Sequence, residues 1–160
     1  MTAFTVRTTS SAAVDADRAA IWAALTDTDL VPRLTPYLSS IDASSKGGVD
    51  RWVWHLIRIP VLGKMMSPSF TEVMGFREPD EITFTHDPDR PEEKAGVEGS
   101  YQLSGAAAGR TDLRIDLAIT VDLPFPSLAK PAVHTAMRGV VASMGRGFSR
   151  NLVRHLRASA

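Results

Sequence analysis

The first apolar pattern in the chain is an alternation. Over residues 4–11, Phe4, Val6 and Thr8 fall on one side and Thr5, Arg7 and Thr9 on the other. This period of two, rich in β-branched residues, predicts a strand. Asp15 then reads as the N-cap of a helix through Leu25, with Val14, Ile21 and Leu25 inward and Trp22 at the edge. A second short helix is expected over Leu30 to Leu34, ending before Pro36, because proline pushes the preceding residue out of helical geometry. Strand patterns follow over residues 37–44, 51–59, 69–77, 82–86, 97–103 and 113–121. Gly47-Gly48 supplies the positive φ angles of a tight hairpin. Leu113, Ile115, Leu117, Ile119 and Val121 alternate with Asp112, Arg114, Asp116, Ala118 and Thr120, as in an antiparallel strand wet on one face.

The period changes after Ser127. Val133, Met137, Val141, Met144 and Phe148 recur at three- and four-residue steps, with Arg146, Arg150, Arg154 and Arg157 opposite. That pattern predicts an amphipathic helix through Leu156, on the order of 40 Å long. Gly139, Gly145 and Gly147 lie inside it, and each costs about 1 kcal/mol relative to alanine. Such a helix takes its stability from packing, and its glycines suit a close approach or a bend.

Composition narrows the picture. The 160 residues carry 18 basic and 18 acidic side chains. A zero net charge argues against a general nucleic-acid binder, which needs excess positive charge. There is no cysteine, so disulfides and thiolate chemistry are excluded. The first residues lack a basic stretch followed by an apolar run, and no run approaches the ~20 apolar residues of a membrane span. A cytoplasmic location is the resulting expectation. With no repeat and no linker-like stretch, residues 1–160 are expected to form one domain.

The element order is strand, two short helices, six strands and one long helix. It is similar to the START-like superfamily (SRPBCC, the helix-grip fold), which includes the polyketide cyclase/dehydrase and lipid-transport group. "VDADRAAIWAAL" at residues 14–25 resembles that group's first helix. Gly99-Ser100-Tyr101-Gln102-Leu103 followed by Gly109-Arg110-Thr111-Asp112-Leu113 resembles its "G.w.l…gGt.l" hairpin. The resemblance implies an α+β fold: a seven-stranded curved antiparallel sheet wrapped on the long helix, with an apolar cavity between them. Members bind lipids, hormones, polyketides or partner proteins.

In such a meander every second connection lies at the same edge. Residues 60–68, 87–96 and 122–127 therefore share one edge, and the cavity mouth is expected there. Two of these loops are apolar: Val61, Leu62, Met65 and Met66 in one, Leu123 and Phe125 in the other. Loops normally face water, so these suit a gate, or a transient membrane or protein contact. The alternative is that they fold inward as a satellite core.

The expected ligand-binding residues are Trp54, Phe84, Tyr101, Leu117, Met137, Val141, Met144 and Phe148. Polar candidates for chemistry are few. His55 points into the cavity if its face of the strand is the inner one. His86 closes a strand at the expected mouth. Tyr101 would bring a phenol, and Arg58 would hold a ligand carboxylate. Glu72 and Glu98 fall in strands, with nothing in the sequence to pair them as acid and base. No HxxxH or HxH spacing occurs, so neither a metal nor a cofactor is expected. The favoured function is a non-catalytic binder of a lipid, fatty acid or polyketide-like molecule. The alternatives are an aromatase/cyclase-like enzyme and a protein-interaction or antitoxin-like module, for which Trp52 and Trp54 or the apolar loops would serve as the interface, including that of a homodimer.

Overall fold

The computed structural model describes residues 1–159 of the chain. Seven strands form one antiparallel sheet: β1 (Thr2–Val14), β2 (Leu38–Lys46), β3 (Val49–Leu56), β6 (Ser69–Arg77), β7 (Glu81–His86), β8 (Ala95–Ala107) and β9 (Arg110–Leu123). Their spatial order is β1-β9-β8-β7-β6-β3-β2. A separate hairpin, β4 (Ile59–Val61) and β5 (Lys64–Met66), branches from the β3–β6 connection. Two short helices, α1 (Arg18–Leu25) and α2 (Leu30–Leu34), follow β1. A single 3₁₀ turn at Ser127–Ala129 leads into α3 (Lys130–Ala158), which crosses the sheet. This is the α+β helix-grip architecture.

The strands run longer than their apolar cores. β1 continues to Val14, which pairs with Thr111. That extension displaces the first helix: Asp17, not Asp15, precedes α1, and its carboxylate accepts a bond from the Gly109 amide at 2.7 Å instead of capping the helix. The strand expected over residues 51–59 breaks after Leu56. The segment expected as a plain loop carries the β4–β5 hairpin, turned at Leu62 and Gly63 with positive φ.

Burial follows the predicted faces. Trp52, Phe70, Met74, Ile82 and Phe84 point inward from neighbouring strands. Two apolar clusters form. In one, α1, α2 and the C-terminal half of α3 (Leu152, Leu156) pack on Trp52, Ile82 and Leu103. In the other, Phe4, Val6, Ile59, Val61 and Leu123 meet Val133 and Met137 at the start of α3. Between the two clusters the sheet and the helix part.

Candidate functional site

A cavity of about 830 Å³ occupies that gap. Its wall takes alternate residues from the strands: Trp54 and Leu56 from β3, Phe70 and Glu72 from β6, Phe84 from β7, Val97 and Tyr101 from β8, and Ile115, Leu117, Ile119 and Val121 from β9. The helix closes it with Met137, Val140, Val141, Met144 and Phe148. The geometry follows from two periodicities. A period of two presents one face of each strand, and a period of 3.6 presents one stripe of the helix. All eight residues expected to touch a ligand stand on this wall.

The expected mouth residues divide. Val61, Met66 and Leu123 line the cavity, while Leu62, Met65 and Phe125 do not. In the β4–β5 hairpin Ile59 pairs with Met66 and Val61 with Lys64, so Ile59, Val61 and Met66 turn inward and Met65 turns out. Leu62 and Met65 are 46 % and 53 % exposed. Phe125 packs on the cluster around Leu123 and Val133. At this edge, then, the inward half of the apolar loops forms a satellite core. The wall residues that are exposed to solvent lie elsewhere: Arg7 and Ser10 on β1, and Arg138, Ala142, Gly145, Arg146 and Ser149 on α3. The exposed part of the wall thus runs along the edge strand and the helix.

Of the four polar candidates, only Tyr101 reaches the cavity. Trp52, Trp54 and Leu56 take the inner face of β3, so His55 points outward, held by Asp42 and Ser69 at 2.8 Å each. His86 stays beneath the 87–94 loop, with Nε2 3.1 Å from the Arg90 carbonyl. Its ring covers Gly96, where a Cβ would come within 3.0 Å of it. Arg58 is exposed beyond the end of β3. Tyr101 packs on Phe84 with ring centroids 5.4 Å apart. It is half-buried and lines the cavity. Burial, and secondarily the nearby Glu72 charge, hold its phenol well above the ordinary value.

The residue that sequence reasoning left unassigned is Glu72. It occupies the inner face of β6 between Phe70 and Met74, opposite Trp52 on β3 and His86 on β7. It is 2 % exposed and lines the cavity, and its Oε2 has no hydrogen-bond partner. Desolvation raises its pKa well above the usual carboxylate range. The indole Nε1 of Trp54, on the same wall, is also buried without a partner. A signal was present in the alternation Phe70, Glu72, Met74, Phe76, which puts a carboxyl in phase with inward apolar residues. The cavity thus offers a weak acid, a phenol and an indole N–H on an apolar wall. That set can donate hydrogen bonds or a proton, and it contains no imidazole. Among the described residues no group of three or more His, Cys, Asp or Glu could hold a metal ion.

The family model for polyketide cyclase/dehydrase and lipid transport matches residues 5–157. The chain belongs to that family. Among solved structures it is similar to a START superfamily protein from Mycobacterium smegmatis, at 15 % identity and a TM-score of 0.70, with 96 % of this chain and 99 % of that chain covered. It is also similar to the Zhui aromatase/cyclase from a Streptomyces species, at 13 % identity and a TM-score of 0.73, covering 96 % and 94 %. Against the di-domain aromatase/cyclase StfQ of the steffimycin biosynthetic pathway, identity is 14 % and the TM-score 0.70. There 98 % of this chain spans 53 % of that one. Comparison with curated protein sequences finds no match. At these identities the structural likeness speaks for the fold. Among the described residues, no helix is long and apolar enough to cross a membrane.

Proposed function

We propose that this member of the family binds an apolar small molecule between the sheet and α3. The observation that carries the reading is the cavity itself: about 830 Å³, walled mainly by aliphatic and aromatic side chains. Ligand pockets commonly span roughly 300–1,000 Å³. A dry void of this size would cost on the order of 20 kcal/mol by the scaling seen for small core cavities, more than the whole stability of a domain. Such a wall is therefore stable only in contact with solvent or with a ligand, and an apolar ligand is the better partner for it. A lipid, fatty-acid or polyketide-like skeleton fits its chemistry.

The test is native mass spectrometry of gently purified protein, paired with displacement of an apolar fluorescent dye. Mass above that of the chain, released by organic extraction, is expected, as is dye binding that Met144→Arg abolishes while the far-ultraviolet spectrum stays native. Absence of both dye binding and added mass would end the reading.

A second reading is an aromatase/cyclase-type activity on a polyketide-like substrate. It is favoured by Glu72 and Tyr101, two titratable groups that face one apolar cavity and whose pKa values burial raises. Enolisation and dehydration of a carbonyl compound need one group to take the α-proton and another to donate to the oxygen, roles that the Glu72 carboxylate and the Tyr101 phenol would divide. Turnover that survives in the double variant Glu72→Gln, Tyr101→Phe would exclude these residues as its source.

A further inference from the structure

Glu72 and Trp54 are arranged as a matched pair. Trp54 stands opposite Phe70, and Glu72 is the next inward residue along β6, so the two are diagonal neighbours on the concave face. Each has a buried polar atom without a partner, Oε2 in one and Nε1 in the other. Tyr101 lines the same cavity. A buried polar group left unsatisfied costs about 1–3 kcal/mol, and here such groups gather on one otherwise apolar wall.

We propose that Glu72, Trp54 and Tyr101 form a seat for an uncharged oxygen, a hydroxyl or a carbonyl, carried by an otherwise apolar ligand. The proposal rests on the reading that the cavity binds a ligand, and adds which polar group that ligand bears.

The donor inventory selects the oxygen. An indole N–H only donates, so Trp54 has nothing to offer an ammonium. A phenol donates as well, and so does a carboxyl in the neutral form that burial favours, so the three together call for an acceptor. A carboxylate is a poor occupant, because no basic side chain lines the deep part of the wall to neutralise it. The basic lining residues, Arg7, Arg138 and Arg146, all lie on the exposed part of the wall. The same arginines oppose passage of a cation. The other charged groups near Glu72 do not line the cavity. His86, its cross-strand neighbour on β7, bonds the Arg90 carbonyl through Nε2, while its Nδ1 is buried without a hydrogen-bond partner, 3.8 Å from Glu93. Arg51 on β3 is paired with Asp87 at 2.9 Å and lies 3.6 Å from Asp89.

Four probes of one shape test the seat by titration calorimetry at neutral pH on the full chain: 2-methylnaphthalene, 2-naphthylmethanol, 2-naphthoate and 2-naphthylmethylammonium. The alcohol is expected to bind about fivefold to tenfold more tightly than the hydrocarbon, the gain of one or two hydrogen bonds. Both ions are expected to bind more weakly than the hydrocarbon. Glu72→Leu should bring the alcohol down to the hydrocarbon's affinity, Glu72→Gln should keep most of the advantage, and Trp54→Phe should lose part of it. Tightest binding by the ammonium, or an alcohol no better than the hydrocarbon, would overturn the seat while leaving the cavity reading intact. If none of the four probes binds, both fall together.

Discussion

A single carboxyl sets the most testable property of this chain. Glu72 is buried among apolar side chains, and desolvation raises its pKa well above the usual carboxylate range. Between the ordinary value and the raised one, the folded state holds a proton that the unfolded chain has released. Stability must then fall as pH rises through that window, and below the ordinary value the effect vanishes. Glu72→Gln removes the titration and keeps the shape. The variant's advantage over the parent is expected to be near zero at pH 4 and to grow to on the order of 1–3 kcal/mol at neutral pH. Urea unfolding of both chains at three pH values measures it, and a difference that does not change with pH would remove the argument. The alternation of Phe70, Glu72 and Met74 is in phase with an inward Glu72, although the sequence reading left that residue unassigned. It did not show that no cation would meet it there, because partners come from other strands and their distances are tertiary facts. His55 failed for a related reason. Its strand is apolar on both faces, so the period of two gave two equivalent choices of inside, and only the sheet's curvature over α3 resolves them.

At the scale of elements, α3 depends on one of its three glycines. Gly147 is buried, and a Cβ there would lie 2.4 Å from Pro36 Cγ and 3.0 Å from Cδ. Pro36 and Tyr37, the latter at a φ of 68°, form the corner between α2 and β2, so neither atom can retreat freely. Gly139 and Gly145 have open space where a Cβ would go. Gly147→Ala is expected to destabilise the fold by about 1–3 kcal/mol through overpacking. Gly139→Ala should stabilise it by roughly 0.5–1 kcal/mol, since alanine loses less backbone freedom in a helix. Thermal unfolding of the two variants side by side should shift Tm in opposite directions, and shifts of the same sign would refute the assignment. The helical period was enough to predict the inner stripe of α3 and the cost of its glycines. Which glycine carries the close approach depends on where the α2–β2 corner lands. The β4–β5 hairpin was missed for a simpler reason: strands of three residues are too short to display a period, and Pro60 within β4 argues against a strand.

Over the whole molecule, the two apolar clusters hold the sheet and helix apart, and the cavity between them gives up packing that a solid core would have. The antiparallel meander and the family resemblance made that arrangement legible in the sequence. The exposed stretch of wall along β1 and α3 was not, because it depends on how the helix lies against the edge strand. A fold built this way should exchange ligand binding for stability when the cavity is filled from within. Val141 lies midway along the inner stripe of α3, half-buried on the cavity wall. Val141→Trp adds a large apolar surface where there is room for it, so it should stabilise the free protein by about 1 kcal/mol rather than strain it. It should also occupy the volume a ligand needs. For the parent chain, a ligand at a hundredfold excess over its Kd adds about 2.7 kcal/mol to stability. Thermal melts with and without saturating 2-methylnaphthalene should therefore show a rise in Tm for the parent and none for Val141→Trp, whose unliganded Tm is already the higher of the two. A variant that still responds to the hydrocarbon as the parent does would place the ligand somewhere other than against α3.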